Sequence, residues 1–344
     1  MSRGAAIRAL ISLVAVAACG PRPEPMDPSI DPQPVEFAPS VDTGVAVAGL
    51  PPATPPAPAP IPLAERGTVV DRLPEFAFDG GWIDFEIRRD GNTVIEVARN
   101  HYAVALMMSW QFAQLDNEYP TTATTGVSLL PAASAPNGDG APVVLAVFQV
   151  LDPRRPFRRN VEFHARWGDP RARPIAYAYR LPWPAGRTFT VLQGFHGAFS
   201  HRGSNEFAVD FDCPVATHVL AARNGVVVAT NASAQGAGTT PDFTDYHRTN
   251  FVLIRHDDGT LGEYMHLAPS GVTVTPGTKV GRGDPIGLSG NTGFSTTPHL
   301  HFQVITAGDD GIAARSFPIR FASAPDRVDE PVQGQAYASW ETAH

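Results

Sequence analysis

Two histidines separated by one residue, His299 and His301, are the side chains in this sequence best placed to do chemistry. They lie in the segment 291–302, which has the composition of a turn followed by a β-strand. On a strand, alternate side chains project from the same face, so the two imidazoles would lie side by side. One of them could bind a metal ion while the other acts on the water that the metal activates. A lone His-x-His is weak evidence, and it gains weight only from compatible partners elsewhere in the chain.

Such partners occur upstream. A catalytic zinc site usually has three protein ligands and one water, with the ligands drawn from His, Asp, Glu and Cys. His201 follows a serine, and Asp210 lies within the apolar run 207–211. A carboxylate in such surroundings is costly unless it is paired or bound to a metal. A further histidine, His266, ends the strand predicted over 262–266.

Several motif-like blocks follow one another along the second half of the chain: Ser200-His201, Ala208–Phe211, Ala221–Val227, Asn250–Thr260, Tyr264–Leu267, Gly287–Gly293 and Pro298–Phe302. In these ordered blocks the sequence resembles the LytM-type metallopeptidases, family M23, also called lysostaphin-like endopeptidases. The resemblance covers about residues 190 to 305. It implies a small β fold with a groove and one catalytic Zn²⁺. Carried over position by position, it makes His201, Asp210 and His301 the zinc ligands, and His299 and His266 the catalytic histidines that bind no metal.

One departure from the family pattern concerns the first ligand. Shorter members place the first histidine and the aspartate four residues apart, whereas His201 and Asp210 are nine apart. A hairpin-like excursion over 202–206 can absorb the difference. The longer spacing leaves His196 as an alternative first ligand, although no motif surrounds it.

The residue types suit hydrolysis independently of the resemblance. A bound Zn²⁺ lowers the pKa of its water to around 7. His299 can accept a proton from that water, and His266 can donate a hydrogen bond to the oxyanion of the scissile carbonyl. The sequence leaves open which of the two is the base. We interpret Tyr264 as a wall of the groove.

Composition bounds the remaining possibilities. The length of 344 residues suits about two domains, and the net charge of −8 argues against a nucleic-acid partner. The only cysteines are Cys19 and Cys213. We predict that Cys213 is a buried apolar thiol, with a zinc-ligand role as the alternative.

The N-terminus has the features of an export signal. Residues 1–18 combine arginines with an apolar run, and the sequence 16–19 resembles a bacterial lipobox ending at Cys19. This predicts a lipoprotein whose membrane anchor is a lipid on Cys19, on the periplasmic face of the outer membrane. The alternative is ordinary signal cleavage nearby. Residues 19–65 are rich in proline and predict a disordered tether.

The rest of the chain predicts an all-β protein. Short β-rich runs separated by turns indicate a β-sandwich-like domain over 66–180, and glycine-rich turns between strands indicate an antiparallel peptidase domain over 181–325. Residues 326–344 would be a C-terminal tail. Two arginine pairs, 154–155 and 158–159, bracket a proline and predict a solvated basic loop.

These observations predict a zinc-dependent endopeptidase of the cell envelope that cleaves peptide cross-links or stem peptides of bacterial peptidoglycan. The substrate class follows from the resemblance. The main alternative is a catalytically silent LytM-like scaffold, or an activator of a cell-wall amidase. Another alternative is a secreted protease that acts on other proteins or on rival bacteria.

Overall fold

The computed structural model describes residues 61–341. The predicted signal segment, the lipobox at Cys19 and nearly all of the predicted tether lie outside the described residues. Among the residues described, no helix has the length and apolar character needed to cross a membrane. The only helical segments in this part are single 3₁₀ turns, at Leu63–Glu65, Gly203–Asn205, Pro241–Thr244 and Tyr246–Arg248. The predicted all-β class is therefore confirmed.

The first part of the described chain forms two antiparallel sheets. One has the strand order β1-β2-β3-β7-β5 and the other β6-β4-β8. The strands are β1 (Thr68–Phe78), β2 (Gly81–Asp90), β3 (Thr93–Asn100), β4 (Leu106–Asp116), β5 (Glu118–Pro120), β6 (Thr125–Leu130), β7 (Val143–Val150) and β8 (Arg158–Trp167).

These two sheets pack face to face, as the sequence predicted for a sandwich-like region. Phe85 on β2 contacts Phe163 on β8, with ring centroids 4.9 Å apart. Phe112 on β4 contacts Phe148 on β7 at 5.5 Å. The period-2 alternation of apolar residues supplies the inward face of each strand.

The prediction of a solvated basic loop at 158–159 is wrong. Both arginines belong to β8, and Arg159 is only 4% exposed. It occupies an inward position of the alternating strand, where its guanidinium forms ion pairs with the buried carboxylates of Glu96 and Glu118. These two acids, on β3 and β5 of the facing sheet, offset the cost of burying one cation, and a local reading of the sequence cannot detect that pairing.

The second part of the described chain is built on a nine-stranded sheet of order β18-β13-β15-β16-β21-β11-β10-β25, with β22 added at β21. Smaller sheets have the orders β12-β19-β17, β14-β20 and β24-β23-β9. The strands are β9 (Ala178–Tyr179), β10 (Thr188–Gln193), β11 (Val209–Phe211), β12 (His218–Leu220), β13 (Gly225–Asn231), β14 (Ala237–Gly238), β15 (Phe251–Arg255), β16 (Leu261–Met265), β17 (Leu267–Val272), β18 (Lys279–Val280), β19 (Pro285–Ser289), β20 (Gly293–Phe294), β21 (Leu300–Ala307), β22 (Ala314–Phe317), β23 (Arg320–Ala324), β24 (Arg327–Asp329) and β25 (Ala336–Ala338).

Both faces of the large sheet are buried in its central strands. Tyr264 and Phe302 face a core formed within the second part of the chain. Leu261 and Ile305 point to the opposite face, into the same apolar cluster as Trp167 of β8. The sandwich therefore packs on one face of the large sheet, and the two share one continuous core.

The predicted domain limits at 180/181 and 325/326 stay a prediction. The described residues from Pro62 onward group into one compact unit. Strand β9 pairs with β23 across the first limit. Strand β25 pairs with β10, so the segment predicted as a tail contributes an edge strand to the large sheet.

Candidate metal centre

Three of the predicted site residues form one group. Ligand-type atoms of His201, Asp210 and His301 all lie within 4.8 Å of one another, and all three side chains are buried. Strand pairing explains part of this proximity, because β11 and β21 are antiparallel neighbours with Asp210 directly opposite His301. His201 lies in the loop between β10 and β11.

The tautomer of His201 is determined by its surroundings. Its Nδ1 lies 2.8 Å from the carbonyl oxygen of Gly194. Since a carbonyl only accepts, Nδ1 donates, and a neutral ring then carries its lone pair on Nε2. That Nε2 is buried and has no hydrogen-bond partner among the described residues, although it lies 3.1 Å from Oδ2 of Asp210. A lone pair and a carboxylate oxygen therefore face each other, an arrangement that suits a shared cation.

His301 contacts the other oxygen of the same carboxylate. Its Nδ1 is 2.9 Å from Oδ1 of Asp210, and its buried Nε2 has no hydrogen-bond partner within residues 61–341. Burial disfavours ionisation of Asp210, but its contacts with His201 and His301 outweigh burial and hold the pKa of the carboxyl well below its ordinary value. Burial likewise opposes protonation of His301, but Asp210 outweighs it and raises the pKa of that imidazole. The three residues thus provide two imidazoles around one ionised carboxylate, a ligand set typical of catalytic metal sites.

His299 lies beside this group without belonging to it. It immediately precedes β21, where it forms an isolated β-bridge with Gly290. Its Nδ1 lies 2.7 Å from the carbonyl of Thr297, and its Nε2 lies 3.6 Å from Oδ1 of Asp210. Burial lowers the pKa of His299, although Asp210 opposes the shift. The ring is therefore neutral at pH 7, with its lone pair on the nitrogen nearer the carboxylate.

The ring of His266 packs against the ring of His299. His266 follows the last residue of β16, where the backbone turns with φ of 63°. Its ring centroid is 4.5 Å from that of His299, and its Nδ1 is 2.7 Å from the carbonyl of Thr292. Burial, strengthened by repulsion from His299 and His301, lowers the pKa of His266 to about 3. Both unligated histidines thus share one tautomer.

The structure brings together all five residues predicted for the site, while their chemical roles stay a prediction. It does not bring the alternative ligand His196 to the group, because that side chain is 62% exposed beside Glu206. The interpretation of Tyr264 as a groove wall is wrong. Tyr264 is fully buried on the opposite face of the sheet, and its hydroxyl accepts a hydrogen bond from the backbone of Ala222. Cys213 is buried, as predicted, and lies outside the group.

Sequence reasoning missed the polar residues that hold the site histidines. Asn250 donates to the carbonyl of Leu267, and its backbone N–H donates to the hydroxyl of Thr292, whose carbonyl holds His266. Ser295 has its hydroxyl 3.2 Å from Nδ1 of His299. Gln193 contacts Asp210. Asn250, Thr292 and Ser295 lie inside or next to the motif blocks, which was the available signal; Gln193 carried none.

Residues 204–311 match Peptidase family M23, so the second part of the chain contains a peptidase M23 domain. The matched range begins just after His201.

Two curated relatives share this region. The peptidoglycan DD-endopeptidase ShyA of Vibrio cholerae serotype O1 is 39% identical over 99 residues, which cover 29% of this chain and 20% of that protein. The glycyl-glycine endopeptidase ALE-1 of Staphylococcus capitis is 40% identical over 105 residues, covering 30% of this chain and 25% of that protein. The match thus spans less than a third of either relative.

Among solved structures, the catalytic domain of lysostaphin from Staphylococcus simulans aligns with 41% of this chain and 86% of its own, at 29% identity and a TM-score of 0.26.

Proposed function

We propose that this protein is a zinc-dependent endopeptidase that cleaves peptide bonds in bacterial peptidoglycan. The observation that carries the proposal is the buried group of His201, Asp210 and His301, in which Nε2 of His201 and Nδ1 of His301 lie 3.1 and 2.9 Å from the two oxygens of one carboxylate. The M23 domain and the two peptidoglycan-directed or glycine-directed relatives support the substrate class.

The metal in this proposal is zinc, held by His201, Asp210 and His301. Two imidazoles and one carboxylate are ligands that Zn²⁺ accepts at a catalytic site, with a remaining position for water. When bound, zinc lowers the pKa of its water to around 7 and polarises the scissile carbonyl. The carbonyl of Gly194 accepts from Nδ1 of His201, which orients the other nitrogen of that ring toward Asp210 and reduces the reorganisation that metal binding requires.

His299 and His266 move the proton in this proposal. Each ring donates Nδ1–H to a backbone carbonyl, so each has an unprotonated Nε2. His299 is the base we favour, because its Nε2 lies nearest the carboxylate of the ligand group. Once a ring has accepted the proton of the attacking water, its Nε2–H can donate to the oxyanion or to the leaving amine.

The test is digestion of purified sacculi by the full-length protein, followed by analysis of the released muropeptides. We expect about one zinc per chain and products that differ in peptide cross-linking. Asp210→Ala and His301→Ala should lose both zinc and activity. His218→Ala is the matched control, because His218 is an exposed histidine at the start of β12.

Each alternative has its own outcome in that experiment. A native protein without metal that leaves the sacculi intact would contradict the enzyme and favour the scaffold or amidase activator. Cleavage of an unrelated unfolded protein, with no change in muropeptides, would indicate a general protease.

We also propose that the protein is anchored in the cell envelope by a lipid on Cys19, with the proline-rich segment as a spacer. The supporting observation is the apolar run followed by small residues and a cysteine at 16–19. Mass spectrometry of the mature N-terminal peptide should show a lipidated cysteine, and Cys19→Ser should move the protein from the membrane to the soluble envelope fraction. An unmodified N-terminus after another residue would contradict the anchor.

A further inference from the structure

The side chain of Gln193 joins two parts of the candidate metal centre. Gln193 ends β10 and is 7% exposed. Its Nε2 donates to Oδ2 of Asp210 at 3.0 Å and to the hydroxyl of Ser200 at 2.9 Å. Its Oε1 accepts from the backbone N–H groups of Phe199 and Ser200, at 3.0 and 3.1 Å. Both donor hydrogens and both acceptor positions of the amide are thus used.

These contacts determine the orientation of the amide. Backbone N–H groups can only donate and an ionised carboxylate can only accept, so exchanging Oε1 and Nε2 would lose the contacts to Phe199 and Asp210. The residue after Ser200 is His201. A single side chain therefore ties the carboxylate on β11 to the loop that carries the first imidazole.

A β-bulge brings Gln193 to this position. In the antiparallel pairing of β10 and β11, Val191 lies opposite Phe211, and the next partner of the strand is Gln193 opposite Asp210, with a register shift between them. Without the extra residue, Leu192 would be opposite Asp210 and Gln193 would point to the other face. Leu192 is instead 38% exposed.

The space for the amide depends on a glycine. A Cβ on Gly197 would lie 2.1 Å from Cγ of Gln193, which is too close for any side chain. The carbonyl of Gly197 also accepts a hydrogen bond from the backbone N–H of His201 at 3.2 Å. The bulge and the glycine thus both serve the same set of contacts.

We propose that Gln193 is a positioning residue for the metal, which holds the carboxylate of Asp210 and the loop of His201 at the separation that a shared cation needs. This inference rests on the proposed function, and it assigns to the metal site a contact from outside the three ligands. Partners of this kind, one shell away from a metal, typically change its affinity by about 10–100-fold when they are removed.

The test measures metal affinity directly, with the full-length protein and no substrate. Zn²⁺ affinity is obtained by competition with a chromophoric chelator, and Co²⁺ replaces Zn²⁺ to report ligand geometry by its visible absorption. Gln193→Met keeps the length of the side chain and removes all four hydrogen bonds. We expect zinc binding about 10–100-fold weaker and an altered cobalt spectrum. Gln149→Met is the matched control, since Gln149 contacts Thr93 in the sandwich.

A Gln193→Met protein that is folded and binds Zn²⁺ within twofold of the parent would overturn the proposal. If that variant does not fold, Ser200→Ala is the second variant, because it removes only the hydrogen bond between Gln193 and the Ser200 hydroxyl. It should weaken Zn²⁺ binding about two- to tenfold. An unchanged Zn²⁺ affinity in Ser200→Ala would then overturn the proposal. A different result would contradict the proposed function itself. If Asp210 is not a zinc ligand, Asp210→Ala should bind zinc as tightly as the parent protein.

Discussion

Substitution of Trp167 tests whether the sandwich and the large sheet share one core. Trp167 closes β8 and is 1% exposed. Its ring centroids lie 4.5 Å from Phe76 on β1, 5.2 Å from Tyr246 and 5.7 Å from Phe251 on β15. The indole therefore contacts both parts of the chain. Its buried Nε1 has no hydrogen-bond partner in the part of the chain that the structure describes. Truncation of the side chain therefore has two effects on stability, the loss of packing and the removal of an unsatisfied N–H.

The two effects predict different results for two variants. Trp167→Ala removes the whole ring and leaves a cavity, which should lower the free energy of unfolding by about 3–5 kcal/mol. Trp167→Phe also loses buried apolar area, but it removes an unsatisfied N–H whose burial costs about 1–3 kcal/mol. We therefore expect Trp167→Phe to change the free energy of unfolding by about 1 kcal/mol or less, because the two effects offset each other.

Urea unfolding followed by far-UV circular dichroism gives both values. A continuous core should produce one cooperative transition, and that whole transition should shift in Trp167→Ala. Trp340→Ala is the control for an exposed indole, which is 41% exposed, and should cost less than about 1 kcal/mol. The reasoning is refuted if Trp167→Phe costs as much as Trp167→Ala, or if two transitions appear and only one moves.

Three further predictions follow from the site and the buried ion pairs. Arg159→Met leaves Glu96 and Glu118 without their cation and should cost about 3–5 kcal/mol. Burial raises the pKa of both acids even in the presence of Arg159, which acts in the opposite direction. Without Arg159, the folded protein therefore keeps protons on these acids at pH values where the unfolded chain has released them. Urea unfolding should show a larger decrease in the free energy of unfolding at pH 8 than at pH 5. His299→Ala and His266→Ala should lower kcat on sacculi by about 10²–10⁴-fold, because each removes a proton-transfer group. Their zinc content should stay at one per chain, since neither ring belongs to the ligand group, and loss of zinc from either variant would contradict that assignment. Removing zinc with a chelator should lower the thermal midpoint, since a metal at 100 times its Kd stabilises the folded protein by about 2.7 kcal/mol, and an unchanged midpoint would count against a bound metal.

Local pattern was sufficient for the longer strands, whereas the candidate site residues came from the family resemblance and their roles stay a prediction. The sequences of β3 and β7 carry continuous or alternating apolar residues, which are a local signal. The same signal failed where a strand carries charge inward. Arg159 looked like part of a solvated loop because the acids that pair with it are 63 and 41 residues away in sequence.

Contacts made by polar residues were harder to predict than the residues themselves. Gln193 has no motif around it, and its role depends on a bulge that a sequence pattern does not mark. Tyr264 lies two residues before His266, a spacing that would give the two side chains one face if the strand continued through both. The backbone turns at His266, and the pairing of β16 with β21 shows Tyr264 beside Phe302 on the other face.

The sequence by itself determined the all-β class, the residue types and order of the candidate ligands, and the alternation that keeps His299 near His301. Only the tertiary structure decided that Asp210 lies opposite His301, that a bulge turns Gln193 toward Asp210, and that the sandwich covers one face of the large sheet. The physical reason is the distance along the chain over which each effect acts. Alternation and turn propensity act between neighbours in the chain, whereas strand register and shared burial are settled by contacts between segments that lie far apart in sequence.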